Sequence, residues 1–313
     1  MMLLEVTTEI LLQQGVNGVA RGSYYALVAV GYTLVYGVLQ LINFAHSEVY
    51  MLGAHFAYYP SKWLGYLPDD PSKQAGKVPP YWVVVIVLGA MAACAVVGML
   101  IERVAYRPLR NAGRLAPLIT AIGVSLLLQY GGQAVFGTEP KPFPVFVDVQ
   151  PVQLGPVSVS NSKIYIVVVA FVLMVALSLF IQKTRPGRAM RACSYNMQTA
   201  RLMGINVDKT SSLTFALGSA MAAIGGILVA IDQPRIDPLM GMMMGLKAFV
   251  AAVLGGIGSI SGAVLGGLLL GIVEALVGAY TTTYQDAVAF VVLILVLLFK
   301  PEGLLGKTGR EKV

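Results

Sequence analysis

Apolar stretches without a single charge recur along the chain at 82–101, 115–138, 164–181, 210–231 and 248–273, and polar or basic segments separate them. A helix rises 1.5 Å per residue, so roughly 20 residues cross the ~30 Å hydrocarbon core of a bilayer. The pattern therefore predicts membrane-spanning helices rather than the half-polar helices of a soluble core. Two further spans are expected at about 18–39 and 46–66, the second interrupted by Pro60, and others near 243–256, 262–280 and 286–299. The segment at 243–256 is too short for a full crossing, which predicts a tilted, broken or re-entrant helix. The expected fold is an all-α polytopic membrane protein, a bundle of about eight to nine transmembrane helices with room for interrupted ones.

Composition agrees: of 313 residues 57% are hydrophobic and only 12% charged, which excludes a water-soluble enzyme, a disordered chain and a coiled coil. The 34 glycines suit closely packed membrane helices. A net charge of +7 raises nucleic acid as a partner, but the placement of the charge argues against it. Most Lys and Arg fall in three clusters: Arg103, Arg107, Arg110 and Arg114; Lys183, Arg185, Arg188, Arg191, Arg201 and Lys209; Lys300, Lys307, Arg310 and Lys312. Basic clusters flanking apolar spans mark the cytoplasmic side of a membrane. Parity between them then gives nine crossings, or eight with a re-entrant segment, an outside N-terminus and a cytoplasmic C-terminus. The loop at about 139–163 is extracytoplasmic on this count, and its alternation over 143–149 and 157–160 predicts a small β-hairpin. It serves as a docking surface or is merely an exposed loop. The whole chain, 1–313, forms one transmembrane domain, with its main cytoplasmic loop at about 183–209.

That cytoplasmic loop spaces Ala189, Ala192, Met197, Ala200 and Leu202 among polar residues, the pattern of one or two short amphipathic helices, with Gly204 placed to end the second. The helices either lie on lipid or present small residues and arginines, Arg188 and Arg191 with Gln198, Ala200 and Gly204, to a partner. In the N-terminal third, Asn43, His46 and Glu48 sit at a polar break before a helix expected to start near Ser47, with Asn43 or Ser47 as its cap. Its N–H groups and positive dipole would face a carboxylate if the break lies at mid-membrane; Glu48 could equally be a first-turn acid complementing that dipole. Glu274 lies within a span, where an ionisable group must face the bundle interior or a wet cavity. Lys247 is its candidate partner, and both structural pairing and a substrate pathway remain open. Gly262-x-x-x-Gly266 and Gly267-x-x-x-Gly271 provide close-packing faces, either for this chain or for a second subunit. Gln129 is expected to hydrogen-bond a neighbouring helix.

Other chemistry is absent. His46 and His55 are not spaced as metal ligands, Cys94 and Cys193 do not read as a disulfide, and no hydrolytic Ser-His or paired-Asp set stands out. Gly303-Leu-Leu-Gly306-Lys307-Thr308 imitates the end of a phosphate-binding loop, but Pro301 stands where that motif needs glycine and no strand precedes it. The chain is thus expected to bind no metal or nucleotide and not to be an enzyme.

Five passages then carry a resemblance. They are Leu41-Ile-Asn43-Phe-Ala-His46-Ser-Glu48 with Tyr50-Met-Leu-Gly53-Ala54; Glu102-Arg-Val-Ala-Tyr106-Arg107-Pro-Leu-Arg110; Arg201-Leu-Met-Gly204-Ile; Ala251-Ala-Val-Leu-Gly255-Gly256-Ile-Gly258-Ser259; and Phe299-Lys-Pro301-Glu-Gly303-Leu-Leu-Gly306. In that order they resemble the LivH-type permease subunits of branched-chain amino acid ABC importers. Family members usually carry Gly at the position of Ser47 and often Asp at that of Glu48. Gln198-Thr-Ala200-x-x-x-Gly204 is similar to a degenerate E-A-A-x-x-x-G loop, through which such permeases engage ATPases; its first two positions depart from that pattern. The resemblance implies a bacterial inner-membrane complex containing a second related permease subunit, two ABC ATPase subunits that use the ATP, and an extracytoplasmic amino-acid-binding protein, all in contact with membrane lipid. It implies leucine, isoleucine or valine as cargo. The alternatives are a related importer of urea, amides or another amino acid, and a stand-alone proton-coupled transporter using Glu48 and Glu274.

Overall fold

The computed structural model describes residues 8–67, 76–110, 112–113, 115–155 and 157–306, so Arg114 and the basic residues after Gly306 lie outside the described part. Eleven α-helices run in the order α1 Thr8–Leu39, α2 His46–Trp63, α3 Pro80–Ile101, α4 Leu115–Phe136, α5 Asn161–Lys183, α6 Arg185–Tyr195, α7 Met197–Leu202, α8 Val207–Asp232, α9 Met240–Gly255, α10 Ile260–Tyr280 and α11 Ala287–Phe299. A π-helical turn, Glu102–Tyr106, extends α3. Four short strands are interspersed: β1 Lys141–Pro142, β2 Pro151–Leu154, β3 Val157–Ser160 and β4 Arg235–Ile236.

Six of the described helices are long and apolar enough to cross a membrane alone: α1, α3 with its π turn, α4, α5, α8 and α10. Among the other bundle elements, α9 and α11 are short, and α2 carries Glu48, two histidines and Lys62. The expected span at 46–66 is one helix that passes through Pro60 and ends at Trp63, and α1 is already helical ten residues before the expected start. Pro60 sits in the last turns of α2, where little helix remains to be broken.

Small residues decide the packing. Apolar tails solvate leucine as well as protein does, so membrane helices associate where backbones can approach closely. Helices α1 and α8 are almost wholly buried at the centre, while α3, α4, α5 and α11 turn rows of Val, Leu, Ile and Phe outwards. Antiparallel α1 and α10 touch backbone to backbone: a Cβ at Gly18 would lie 2.6 Å from Ile272 Cα, and one at Gly22 2.6 Å from Leu268 Cα. Both small-residue faces of α10 are consumed inside this chain, Gly267 and Gly271 against Ala26 and Gly22 of α1, and Gly262 and Gly266 against Gly255 and Ala251 of α9. Neither face is left for a second subunit.

The two ends of the bundle differ in chemistry. At one end lie the π turn, α6, α7, the start of α8 and residues 300–306; the polypeptide there adds to α9 through Leu304 N–H donating to Leu254 O (2.8 Å) and Leu305 N–H to Gly255 O (2.9 Å). The phosphate-loop imitation therefore caps α9 as far as Gly306, and Lys307 and Thr308 fall outside the described residues. All the described basic clusters gather at this end. At the other end β1 pairs antiparallel with β4, Lys77 bridges to Val145, and β2 pairs with β3 from Pro151↔Ser160 to Leu154↔Val157. A hairpin is thus present, but 143–149 is not its first strand. Phe143 and Phe146 are buried against each other, centroids 5.0 Å apart, in a hydrophobic cluster with Tyr58, Ile227 and Ile236. Pro144 also removes a backbone donor within 143–149.

Replacing Gly22 by Leu is expected to lower the thermal midpoint of the purified protein, at a cost of about 1–3 kcal/mol from overpacking. The same change at Gly123, where a Cβ meets nothing within 4 Å, should be close to neutral in the same melting assay.

Candidate functional site

The chain turns inside the bundle between α1 and α2. Gln40 adopts a left-handed φ of 54°, residues 40–45 are largely non-helical, and α2 starts at His46. The His46 ring lies against Gly31 of α1 and edge-on to Tyr32, centroids 4.5 Å apart, with Nε2 3.3 Å from Val28 O. Gly31 also faces Gly218, which is near the middle of α8. The first turn of α2 therefore begins deep in the bundle rather than at its surface. Non-helical backbone is tolerated at such depth only where protein or a wet cavity surrounds it.

The expected cap is not formed: Ala45 occupies the N-cap position without a side-chain hydrogen bond. Asn43 instead accepts from the Tyr106 hydroxyl of the π turn (2.9 Å), and Ser47 Oγ donates back to Phe44 O (2.9 Å). Both side chains hold the break itself, so neither is free to cap. Asn43 and His46 are buried wall residues, whereas Glu48 lines a cavity of about 180 Å³. Its Oε1 accepts from Ser125 of α4 (3.4 Å) and lies 3.3 Å from Ser47 Oγ, whose single proton it shares with the shorter bond to Phe44 O. Its Oε2 is buried without a partner and faces Gly241 of α9, where a Cβ would stand 3.0 Å away. Tyr32, Phe44, Ser125, Gln129 and Phe249 line the same cavity. The sequence pointed to Glu48 but not to Ser125, Tyr32 or Phe249; the spacing of Ser125 and Gln129, one helical turn apart on α4, was the available signal.

Glu274 belongs to a different place. Lys247 Nζ donates to Glu274 Oε1 (2.9 Å) and Asp286 Oδ1 (2.7 Å), Tyr25 OH donates to Glu274 Oε2 (2.8 Å), and Arg21 lies 3.8 Å from Glu274. Two cations and two anions balance in this cluster, which joins α1, α9, α10 and the start of α11. The expected Lys247 partnership is present, and Glu274 is separate from the cavity at Glu48.

At the basic end, α6 and α7 take the two short helices read from the loop. Thr184 caps α6 by accepting from Gly187 N–H (3.1 Å), and Asn196 caps α7 by accepting from Thr199 N–H (2.9 Å). Gly204, at φ +80°, ends the turn, with Ile205 N–H donating back to Ala200 O (3.0 Å). Ala200 is buried in its own subunit, so it is not presented outwards as expected. A side chain at Gly204 would meet open space and act through backbone strain. What faces outwards is Tyr195, Leu202 and Met203, each more than three-quarters exposed, with Arg188, Arg191, Gln198 and Arg201 around them. Arg191 is partly held by Gln182 O (3.1 Å). Burial pushes the Cys193 thiol above its usual range, consistent with an inert packing residue. Behind this surface, Glu102, fully buried, accepts from Arg107 (2.6 Å), Arg110 (3.0 Å) and Ser212 (2.7 Å), and Arg110 also reaches Asp208 (2.7 Å). Two arginines counted as membrane-orienting charges thus tie α3 to the start of α8.

Removing one partner of a buried ion pair costs about 3–5 kcal/mol because the other is left uncompensated. Lys247→Met should therefore melt well below the parent protein, and Lys247→Met with Glu274→Leu should recover part of the loss; equal melting of the single and double variants would show that the pair is not coupled.

The chain matches the family described as branched-chain amino acid transport system, permease component, over residues 15–297. It is 45% identical over 311 residues to the high-affinity branched-chain amino acid transport system permease protein BraD of Pseudomonas aeruginosa, covering 96% of this chain and 98% of that one. LivH of Escherichia coli K12, named in the same words, is 45% identical over 309 residues, with 96% and 97% covered. The probable branched-chain amino acid transport permease LivH of Methanocaldococcus jannaschii is 28% identical over 217 residues, covering 66% of this chain and 62% of that one. No solved structure matches. On the extent of these matches, the chain belongs to the branched-chain amino acid transport permease family.

Proposed function

We propose that this chain is a membrane-pathway subunit of an ATP-driven importer that carries leucine, isoleucine or valine across a bacterial inner membrane. The carrying observation is 45% identity, sustained over 96% of the chain, to permeases named for high-affinity branched-chain amino acid transport. Energy comes from two partner ABC ATPases, and cargo from an extracytoplasmic amino-acid-binding protein; a second related permease completes the pathway. The whole chain acts as one permease domain. Six long spans with α2, α9 and α11 as incomplete ones give nine crossings, and the end that gathers the basic clusters is cytoplasmic, together with the C-terminus. The far end, with its hairpin and the 137–160 loop, then receives the binding protein.

The ATPase contact is assigned to the exposed face of α6 and α7. A coupling surface needs apolar anchors ringed by polar residues, and Tyr195, Leu202 and Met203 among Arg188, Arg191, Gln198 and Arg201 meet that need. Ala200 and Gly204 shape the helix ending behind them rather than forming the groove. Alternating access follows if ATPase closure pulls this rigid surface and rotates the bundle about the pathway.

Reconstitution of the chain with its partner subunits in vesicles, with leucine uptake measured against ATP, tests the assignment; ATP-dependent uptake that needs the binding protein is expected, and uptake by the chain alone would contradict it. Leu202→Asp should insert normally yet lower binding-protein-stimulated ATP hydrolysis at least tenfold, since losing an interface anchor costs about 2 kcal/mol.

A further inference from the structure

Three carboxylates are fully buried among the described residues: Glu48, Glu102 and Glu274. Glu102 is held by Arg107 and Arg110, and Glu274 by Lys247 with Arg21 beside it. Glu48 has two serine hydroxyls and, among the described residues, no cation. One of its oxygens is buried without any partner at the edge of a cavity. Leaving a carboxylate in that condition costs far more than the two weak hydroxyl contacts return, so the site is incomplete as it stands.

The surroundings say what completes it. The cavity, at about 180 Å³, is smaller than the pockets that hold drug-sized ligands and suits a molecule the size of an amino acid. Its walls divide: Ser47, Glu48, Ser125 and Gln129 form a polar corner, while Phe44, Met242, Leu246 and Phe249 supply an apolar side. Gly241 and Gly245 keep α9 close against Ser47 and Glu48 without a side chain entering the corner. An occupant should therefore carry a compact cationic donor at one end and an apolar group at the other.

We propose that this cavity is the subsite that receives the α-ammonium group of the transported amino acid, with Glu48 Oε2 as its acceptor, and with the aliphatic side chain against Phe44 and Phe249. Ser125 and Gln129 are specificity-determining residues of the same corner. The inference rests on the import function proposed above and adds where within the membrane the cargo pauses and which end of it is recognised. Cysteine-free competition is not needed to test it, because Cys94 and Cys193 are both buried.

The experiment uses the complete complex in vesicles. Ser125→Cys, and separately Met242→Cys, are labelled with a small cationic methanethiosulfonate reagent in the absence and presence of ligands. Leucine should slow labelling at least tenfold. Isoamylamine, which keeps the amine and the branched chain, should also slow it, whereas 4-methylpentanoate, which keeps the chain and the carboxylate, should not. Adding Glu48→Gln to either cysteine variant should abolish the protection by leucine and lower ATP-driven leucine uptake roughly tenfold or more, the scale of a lost hydrogen bond to a charged group. Protection by 4-methylpentanoate equal to that by leucine, or leucine protection that survives Glu48→Gln, overturns the proposal. So does leucine uptake that requires an inward proton gradient in addition to ATP and loses that requirement in Glu48→Gln, since Glu48 would then carry a proton. A parent complex that hydrolyses ATP without importing leucine refutes the import function itself, a result distinct from all of these.

Discussion

A polar group inside hydrocarbon has no water to turn to, and this requirement shapes the molecule from end to end. Backbone that leaves the helix at residues 40–45 is held between the π turn, where Tyr106 bonds Asn43, and α9, where Phe249 meets Phe44. Lys247, Glu274, Asp286 and Arg21 neutralise one another, and Glu102 gathers two arginines. Glu48 differs from those carboxylates: its second oxygen is buried without a partner at the edge of a cavity, and among the described residues no cation neutralises it.

The same requirement connects packing to mechanism. Glycines bring α1 against α10 and α9 against α10 at backbone contact, so the centre of the bundle is stiff. A stiff centre transmits displacement, because closely packed interiors shift as units rather than deform. Glu102 extends this unit to the start of α8, directly after the exposed α6–α7 surface. Contacts run from α8 through Gly218 to Gly31 of α1 and on to His46, in the first turn of α2 that carries Glu48.

Much of this was legible in the sequence. Uncharged stretches gave the long spans, clustered Lys and Arg gave the chemically distinct end, and the i to i+4 glycines gave the α10 faces. Lys247 was identified as the partner of Glu274 because two opposite charges in apolar helices have few other choices. What failed did so for tertiary reasons. The hairpin was misplaced because alternating Phe143 and Phe146 look like strand residues, yet they are spent on a core under the outer loop. Asn43 looked like a cap until Tyr106, 63 residues away, claimed it. Ala200 looked presented because a helix pattern alone does not say which face the rest of the chain covers. The cavity at Glu48 was invisible for the same cause: it draws on α1, α2, α4 and α9, and no local pattern records that meeting.

The most direct test of the central claim is a solid-state NMR measurement of dipolar coupling between ¹⁵N-leucine and ¹³C-carboxyl-labelled glutamate in the membrane-embedded complex, assigned with Glu48→Gln. The account predicts one strong coupling, corresponding to a charge-assisted N···O contact of about 2.7–2.9 Å, that disappears in Glu48→Gln. Bound leucine with a coupling that survives this substitution, or with none to any glutamate, would contradict it.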